Sequence, residues 1–333
     1  MNHKKIISII GTGSYVPEKV VTNDDLSKIM DTSDEWIYSR TGMRERRICE
    51  PNQSTSDLGA EAAKKALKDA KISADHIDLI IVATLSPDMF FPSTACFIQE
   101  KIKAKNAFCY DLGAACSGFL FALETARAQL SCGKATTALV IGAEKMSMFL
   151  DWNDRSTSIL FGDGAGAAIL QVKDNGRGLL PAIIGSDGSL ANLLCTPGGG
   201  SCNPITHDMI DRKEHFIQME GKDVFKHAVQ RMSEAVLDVL KLNDILVDEV
   251  ACFIPHQANI RIIDAISKRL NVKDRMYSNI EKYANTSSAA LAIALDEAAH
   301  DGFIRKGDLI VLTAFGSGFT WGANILEWEK EYE

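Results

Sequence analysis

Three short stretches of the sequence contain residue types that can perform acyl-transfer chemistry. Cys116 stands among small residues in AACSGF, His256 follows an apolar run in FIPHQAN, and Asn285 opens NTSSAA. A thiolate can accept an acyl group, and imidazole and amide N–H groups can stabilise a negatively charged oxygen. Each residue alone has an ordinary structural alternative, namely a core cysteine, a buried structural histidine and a turn asparagine. Together they predict a nucleophile with two hydrogen-bond donors.

The surroundings of Cys116 predict its place in the fold. The apolar stretch NAFCYDL precedes it and the helical stretch SGFLFALETARAQL follows it, so the cysteine is expected where a strand ends and a helix begins. Free backbone N–H groups and the helix dipole at such a position favour a thiolate, and small neighbours leave the sulfur approachable. We therefore expect a reactive thiolate at residue 116.

The elements that must position these residues occur twice along the chain. Four pairs of stretches follow each other in the same order: IIGTGS and IIGSDGS, IDLIIVAT and VDEVACFI, NAFCYDLGAA and RMYSNIEKYANTS, and TTALVIGAE and DLIVLTAFGSG. One such pair could arise by chance among apolar strands, but four in register favour a duplicated α/β unit. Cys116 and Asn285 follow the third pair of matched strands, so they are expected to face each other across a pseudo-twofold axis.

Composition excludes several classes of function. The chain has 333 residues, 46% of them hydrophobic and 24% charged, and a net charge of −8, which argues against a general nucleic-acid partner. No apolar run approaches the roughly 20 residues that cross a bilayer. The apolar run near the start is too short for a signal peptide, so we expect a cytoplasmic protein. His207 and His215 lack paired ligands at zinc spacing, so no metal site is expected.

A series of motifs spread over essentially the whole chain resembles one known family. The motifs are GTGSYVPEKVVTN, DEWIYSRTGMRERR, FPSTAC, AACSGF, FGDGAGA, PHQAN, NTSSAA and FGSGFTWG. They resemble β-ketoacyl-[acyl carrier protein] synthase III, a family of thiolase-fold condensing enzymes. The resemblance implies a thiolase-like duplicated α/β fold with αβαβα layers, in which residues 1–175 form one half and residues 176–333 the other. Two positions depart from the family pattern, because Ser317 and Ala284 stand where glycine is usual.

The resemblance implies an activity and its catalytic residues. Cys116 would accept an acyl group from an acyl-CoA, and His256 and Asn285 would assist a decarboxylative condensation with malonyl-[acyl carrier protein]. The backbone N–H groups of Cys116 and Ser317 would stabilise the tetrahedral oxyanion. A histidine in place of Asn285 would have indicated an elongating synthase, and Phe315 stands in the region where a thiolase carries a second reactive cysteine. Two alternatives stay open: a related ketosynthase or acyltransferase of secondary metabolism, and a catalytically silent acyl-binding scaffold.

The resemblance also implies contacts with coenzyme A and with a second subunit. The residues implied for coenzyme A are Trp36 and Arg155 on either side of the adenine, Thr32 and Arg40 beside it, and Gly221, Phe225, Ala258 and Asn259 along the pantetheine tunnel. Coenzyme A enters as a thioester substrate, and no resident cofactor is expected. Phe91 corresponds to a residue that reaches the acyl pocket of the partner subunit, which implies a homodimer.

A basic helical face is a candidate dock for the acidic carrier protein. Arg261, Lys268 and Arg269 recur at helical spacing in NIRIIDAISKRL, with Lys222 and Lys226 as possible extensions. An ordinary solvated helix face explains each of these residues equally well when it is taken alone.

Overall fold

The structure is a computed structural model that describes residues 5–332. Residues 1–4 and 333, which belong to the two predicted halves, lie outside the described residues. The strands are β1 (Ile6–Tyr15), β2 (Val20–Thr22), β3 (Glu45–Arg47), β4 (Leu79–Ala83), β5 (Phe108–Leu112), β6 (Thr137–Lys145), β7 (Asp163–Lys173), β8 (Ile183–Ser186), β9 (Leu194–Cys195), β10 (Gln218–Met219), β11 (Val250–Pro255), β12 (Leu309–Gly316) and β13 (Thr320–Glu327). The helices are α1 (Asn23–Ser27), α2 (Asp34–Thr41), α3 (Thr55–Ala70), α4 (Thr94–Ile102), α5 (Gly118–Ser131), α6 (His207–Asp211), α7 (Gly221–Leu242), α8 (Ile260–Leu270), α9 (Ile280–Tyr283) and α10 (Ala289–His300).

Two mixed sheets share one strand order. The first sheet runs β1-β7-β6-β4-β5, and the second runs β8-β13-β12-β11. In the first sheet β1 and β6 pair antiparallel with β7, and in the second sheet β8 and β12 pair antiparallel with β13. The parallel pairing of β4 with β6 corresponds to the parallel pairing of β11 with β12. Three of the four sequence pairs fall on equivalent strands of the two sheets: β1 with β8, β4 with β11, and β6 with β12. The duplicated thiolase-like fold is therefore confirmed.

Five layers follow from where apolar side chains are buried. Helices α5 and α10 lie between the two sheets, and their apolar residues share one cluster with β4, β6, β11 and β12. Helices α3 and α4 cover the outer face of the first sheet, and α7 and α8 cover the outer face of the second. The strands β4 and β12 are buried along their whole length, as expected for strands packed on both faces. Helix α10 is buried almost all round because it occupies the centre of the molecule.

The third matched strand of the second half differs from the expectation. Only Met276 pairs there, as a single parallel bridge to Phe253, and the short helix α9 separates it from Asn285. The prediction that Asn285 directly follows a strand equivalent to β5 is wrong. Asn285 instead forms a parallel bridge with Phe161 of the first half, so it is held by contacts between the halves.

The predicted division at residues 175 and 176 falls in the connection between β7 and β8, and it stays a prediction. Among residues 5–332, no helix is both long and apolar enough to cross a lipid bilayer.

Candidate active site

Cys116 lies in a single 3₁₀ turn, Ala115–Ser117, between the end of β5 and the start of α5. This is the placement that the sequence predicts. The preceding Ala115 has a φ of 46°, a left-handed conformation that residues other than glycine rarely adopt. The end of β12 lies directly against the turn, since a Cβ on Gly316 would come within 2.6 Å of the Cys116 backbone nitrogen. The second half therefore reaches the backbone of the nucleophile only because residue 316 has no side chain.

The thiol of Cys116 is protonated in this enclosed position. Burial is the main cause that raises its pKa, to about 12; hydrogen bonding to the Ser287 hydroxyl and to the backbone lowers the pKa, and any negative charge on Glu144 raises it. The expectation of a ready thiolate is wrong for the structure without substrate, because loss of water outweighs the favourable position at a helix start. Attack on an acyl group must therefore be coupled to removal of the thiol proton.

His256 follows β11 directly, and its backbone N–H donates to the carbonyl oxygen of Thr313 in β12 at 2.8 Å. Its side chain is 2% exposed, and neither ring nitrogen has a hydrogen-bond partner in the part of the chain that the structure describes. Burial lowers the pKa of the imidazole to about 4, so the ring is neutral near pH 7. A buried polar group without a partner costs about 1–3 kcal/mol, which indicates a ring kept free for a ligand.

Asn285 is fixed by backbone contacts with the first half. Its N–H donates to the carbonyl of Leu160 at 2.9 Å, and its carbonyl accepts from the N–H of Gly162 at 3.1 Å. The side-chain Oδ1 accepts the N–H of Ser287 at 2.8 Å, which leaves the Nδ2 group as a donor for the cavity that Asn285 lines. The preceding Ala284 has a φ of 54°, a left-handed conformation that explains why glycine suits this position.

A cavity of about 300 Å³ leads from the surface to all three residues, Cys116, His256 and Asn285. At its mouth the guanidinium groups of Arg40 and Arg155 lie 4.4 and 4.8 Å from the ring centroid of Trp36. Cationic groups against an indole face form a site that can bind a nucleotide and its phosphates.

The structure brings together most of the residues that the sequence assigned to coenzyme A. The wall of this smaller cavity includes Trp36, Arg40, Arg155, Gly221, Phe225, Ala258 and Asn259. Thr32 is not among the lining residues, and its buried hydroxyl has no partner within residues 5–332. Asn259 also caps helix α8, since its Oδ1 accepts the N–H of Arg261 at 2.9 Å.

Cys116 also lines a second, larger cavity of about 820 Å³. Its walls are mainly apolar and include the methionines Met89, Met146, Met148 and Met209. Sequence reasoning missed this cavity, although the clustered apolar residues of KMSMF, at the end of β6, and of DMFFP, after β4, gave a signal. Methionine side chains adapt to irregular shapes, so such a cavity suits a flexible apolar chain.

Two predicted residues lie near this larger cavity in different ways. Ser317 lines it, and its hydroxyl donates to the carbonyl of Leu194. Phe91 is 84% exposed and is not among the lining residues of its own chain, whereas its neighbour Phe90 is. A role for Phe91 in an acyl pocket therefore requires a second copy of the chain.

The predicted basic face of α8 is on the surface. Arg261, Lys268 and Arg269 are all exposed, and Asp264 shares the exposed face with them. Arg261 also lines the mouth of the smaller cavity, where its guanidinium donates to the carbonyl of Ser39 at 3.2 Å. Within residues 5–332, the histidine, cysteine and acidic side chains form no cluster that could hold a metal ion.

A buried nucleophile where two cavities meet, on a duplicated five-layer α/β fold, defines a thiolase-fold acyltransferase. The 3-oxoacyl-[acyl-carrier-protein] synthase III family matches residues 110–188, and its C-terminal domain matches residues 240–328. The chain belongs to the β-ketoacyl-[acyl carrier protein] synthase III family.

Individual relatives agree over the full length. A β-ketoacyl-[acyl-carrier-protein] synthase III of Caldanaerobacter subterraneus subsp. tengcongensis is 48% identical, over 99% of this chain and 100% of that protein. The crystal structure of 3-oxoacyl-[acyl-carrier-protein] synthase III from Aquifex aeolicus is 46% identical, with a TM-score of 0.90 over 97% of this chain and 100% of that chain. The priming β-ketosynthase of the R1128 polyketide pathway is 33% identical, with a TM-score of 0.92 over 99% of this chain and 98% of that chain.

The neutral imidazole of His256 predicts an acid sensitivity of the fold. In the unfolded chain a histidine takes up a proton below about pH 6.5, whereas the folded protein resists protonation of His256 until about pH 4. The free energy of unfolding should therefore fall by roughly 1.4 kcal/mol per pH unit from about pH 6.5 to about pH 4 on account of this residue. His256→Gln should remove that part of the slope, measured by urea unfolding across the range.

The exposed His76 provides the matched control, because His76→Gln also removes one histidine. If the two variants have the same slope as the parent, the imidazole of His256 is not held neutral by burial.

Proposed function

We propose that this protein catalyses the initiating condensation of type II fatty acid biosynthesis. An acyl-CoA and malonyl-[acyl carrier protein] react through a thioester on Cys116 to give a 3-oxoacyl-[acyl carrier protein], coenzyme A and carbon dioxide. The observation that carries the proposal is that two cavities meet at one cysteine. The smaller has a cationic and aromatic mouth that suits coenzyme A, and the larger is apolar and suits an acyl chain.

Acyl transfer moves one proton and one acyl group between two sulfur atoms. The Cys116 sulfur attacks the thioester carbonyl, the bond from that carbonyl to the coenzyme A sulfur breaks, and the acyl group stays on Cys116 beside the larger cavity. The departing sulfur needs a proton, and the Cys116 thiol must lose one. The neutral imidazole of His256 lines the same cavity and can pass the proton from one sulfur to the other. The backbone N–H groups of Cys116 and Ser317 serve the oxyanion of this step.

Condensation uses the two neutral donors. When the malonyl thioester loses carbon dioxide, negative charge gathers on its carbonyl oxygen and on the carbon that will attack. The N–H of His256 and the Nδ2 group of Asn285 stabilise that oxygen without protonating the carbon. The carbon then attacks the acyl carbonyl, the bond from that carbonyl to the Cys116 sulfur breaks, and the sulfur leaves as a thiolate that takes up a proton to restore the resting thiol. Because both donors are neutral before the reaction, the site is suited to a charge that exists only during it.

The 48% identity to a relative named β-ketoacyl-[acyl-carrier-protein] synthase III, against 33% to the R1128 priming ketosynthase, favours the primary pathway over secondary metabolism. The R1128 priming ketosynthase shares the fold and a third of the sequence, so transfer to a different acceptor is the alternative function. The free state of all eight cysteines supports a cytoplasmic location, which cell fractionation tests.

Asn285→Asp tests the proposed division of labour. Aspartate can still accept the N–H of Ser287, but it presents a carboxylate oxygen where Nδ2 stood. Losing one oxyanion donor costs about 10²- to 10³-fold in rate, and the added negative charge increases the loss. We expect decarboxylation of malonyl-[acyl carrier protein] to fall by at least that factor, measured as release of labelled carbon dioxide.

Acylation of Cys116 by labelled acyl-CoA in a single turnover is the internal control, because it uses a different oxyanion site and should fall much less. If decarboxylation stays within a few-fold of the parent, or if acylation collapses to the same extent, Asn285 does not have the proposed role. Cys116→Ala should accept no label at all.

The larger cavity supports a primer longer than acetyl. A methylene group needs about the volume of one liquid water molecule, about 30 Å³, so a cavity of 820 Å³ has room for a chain of many carbons. The apolar loop with Met89, Phe90 and Phe91 is exposed beside this cavity, which supports a homodimer in which Phe91 of the partner subunit closes the far end.

A chain-length series tests both the primer and the dimer. Each added methylene that enters the cavity gains about 0.8 kcal/mol, so kcat/KM should rise by up to about fourfold per carbon from acetyl-CoA towards medium-length acyl-CoA. Phe91→Ala should shift the preferred chain length upward, although Phe91 does not line its own chain's cavity. A preference for acetyl-CoA would contradict the primer proposal, and an unchanged series with a monomer in sedimentation would contradict the dimer.

The exposed basic face of α8 supports docking of an acidic carrier protein. Arg261 lies at the mouth through which the pantetheine arm of the carrier must enter, and Lys268 and Arg269 continue the face away from it. Opposite charges at such a rim increase association rate and specificity.

Lys268→Glu is the sharpest test, because Lys268 is outside the coenzyme A cavity whereas Arg261 lines it. We expect KM for malonyl-[acyl carrier protein] to rise by up to about tenfold at low salt and the salt dependence to decrease, with acylation from acyl-CoA unchanged. The matched control is Lys306→Glu. It makes the same charge reversal at an exposed lysine just before β12, at the end of that strand away from Gly316 and Cys116. Equal losses for the two variants would mean that α8 is not the docking face.

A further inference from the structure

Glu144, near the end of β6, is a buried carboxyl group that the mechanism above does not use. It is completely enclosed, and no positively charged group within residues 5–332 compensates its charge. The neighbouring Lys145 is turned away, with its ammonium group on the backbone carbonyls of Glu50, Pro51 and Gln53. An ionised carboxylate without a cation is costly in such a place, so its hydrogen bonds must show how it is accommodated.

One carboxyl oxygen of Glu144 only accepts hydrogen bonds. Its Oε2 receives the hydroxyl of Ser86 at 2.6 Å, the hydroxyl of Thr84 at 3.2 Å, and the backbone N–H groups of Leu85 and Ser86 at 3.2 Å each. The Ser86 hydroxyl in turn accepts the N–H of Lys145, so its own proton is free for Oε2. This oxygen has all the donors that it can use.

The other oxygen lies in a chain of contacts that needs one more proton than the serine supplies. The hydroxyl oxygen of Ser288 is 2.8 Å from Oε1 of Glu144 and 2.8 Å from the carbonyl oxygen of Ala83. Oε1 also accepts the N–H of Leu85 at 3.3 Å, which Leu85 shares with Oε2, and this long contact supplies no proton to Ser288. A serine hydroxyl has a single proton, and a backbone carbonyl has none to donate. A single O–H cannot point well at both oxygens, so two well-formed hydrogen bonds at 2.8 Å need two protons, and of these three groups Glu144 can supply the second.

We propose that Glu144 is a positioning residue that acts as a neutral carboxylic acid, with its proton donated from Oε1 to Ser288 and the Ser288 proton donated to Ala83. The carboxyl group thereby joins three segments around the nucleophile: β6, the segment that follows β4, and the residue that opens α10. Burial raises the pKa of this carboxyl, which agrees with the proton count. The kinetic consequences rest on the proposed function, whereas the protonation state does not.

The joined segments carry the site. Ser288 is three residues beyond Asn285, in the turn whose Ser287 has a left-handed φ of 50° and faces the Cys116 thiol. The segment after β4 supplies Leu85 to the wall of the larger cavity. A hydrogen bond from Glu144 to Ser288 therefore fixes the donor of the condensation step relative to the acyl chain.

The neutral state of Glu144 also matters to Cys116. A negative charge on Glu144 raises the pKa of the Cys116 thiol, because the two groups are close enough for their charges to repel. Asp88, the nearest acidic residue of the loop after β4, is bound by the backbone and hydroxyl of Ser56. An acid that keeps its proton near neutral pH leaves Cys116 easier to ionise than a carboxylate would.

The pair Glu144→Gln and Glu144→Leu tests the proposal. Glutamine is neutral and places an NH₂ donor where the acid O–H stood, so it should keep kcat/KM within about threefold of the parent and keep the rate at which iodoacetamide alkylates Cys116 near pH 7. Leucine removes the donor, and the resulting misplacement of Asn285 should lower the rate of decarboxylation by about 10²-fold. Glu61→Gln, at a side chain that is 46% exposed, is the matched control for the substitution chemistry.

Infrared difference spectroscopy reads the proton directly and does not depend on activity. The spectrum of the parent minus Glu144→Gln at pH 7 should contain the carbonyl stretching band of a protonated carboxylic acid, which shifts in heavy water. A carboxylate band in its place overturns the proposal, even if Glu144→Leu fails to fold. If Glu144→Gln loses as much decarboxylation rate as Ser288→Ala, the positioning role is overturned. If these two variants lose condensation while iodoacetamide still alkylates Cys116 at the parent rate, the loss does not come from a failed nucleophile.

Discussion

The contact of Gly316 with the backbone of Cys116 is the constraint on which the site depends. The nucleophile belongs to the first half, at the start of α5, and the second half reaches it through the end of β12 at a distance that admits no side chain. The same meeting of halves continues on both sides. The Ser117 hydroxyl donates to the carbonyl of Thr320, the Thr320 hydroxyl donates to the carbonyl of Ala114, and Asn285 pairs with Phe161 of the first half. Cys116, His256 and Asn285 line one cavity because two copies of one α/β unit close over it.

The site is uncharged at rest, and this property has one physical cause. Burial disfavours the charged form of every group, so the Cys116 thiol stays protonated and the His256 ring stays neutral. The same effect raises the pKa of the Glu144 carboxyl. In water such groups would titrate separately, but in this enclosed volume charge appears only when a substrate brings a reaction that moves it. Neutral donors are then more useful than cations, because they stabilise an oxyanion without quenching the adjacent carbanion.

The two cavities explain how one cysteine serves two substrates in turn. The smaller has arginines around Trp36 at its mouth and reaches His256, which suits a nucleotide followed by a thin arm. The larger is lined by flexible apolar side chains, which suits an acyl chain. The reaction at the Cys116 sulfur is the same for acyl chains of any length. Primer choice is therefore separable from catalysis, because methylene groups far from the sulfur change binding and leave the reacting atoms alone.

The sequence by itself determined the duplicated fold and the nucleophile candidate, because these depend on local patterns, and its resemblance to the synthase III family implied most of the residues that line the smaller cavity. Apolar strands, amphipathic helices and short motifs around Cys116, His256 and Trp36 are readable without coordinates. Only the tertiary structure decided the ionisation of the thiol, since helix position favours a thiolate and burial by distant segments reverses that preference. It also decided how Asn285 is held, as a bridge to Phe161 in place of an expected strand. The larger cavity and the contacts of Glu144 with Ser86 and Ser288 join residues far apart in the chain, and spacing along a sequence carries no record of such contacts.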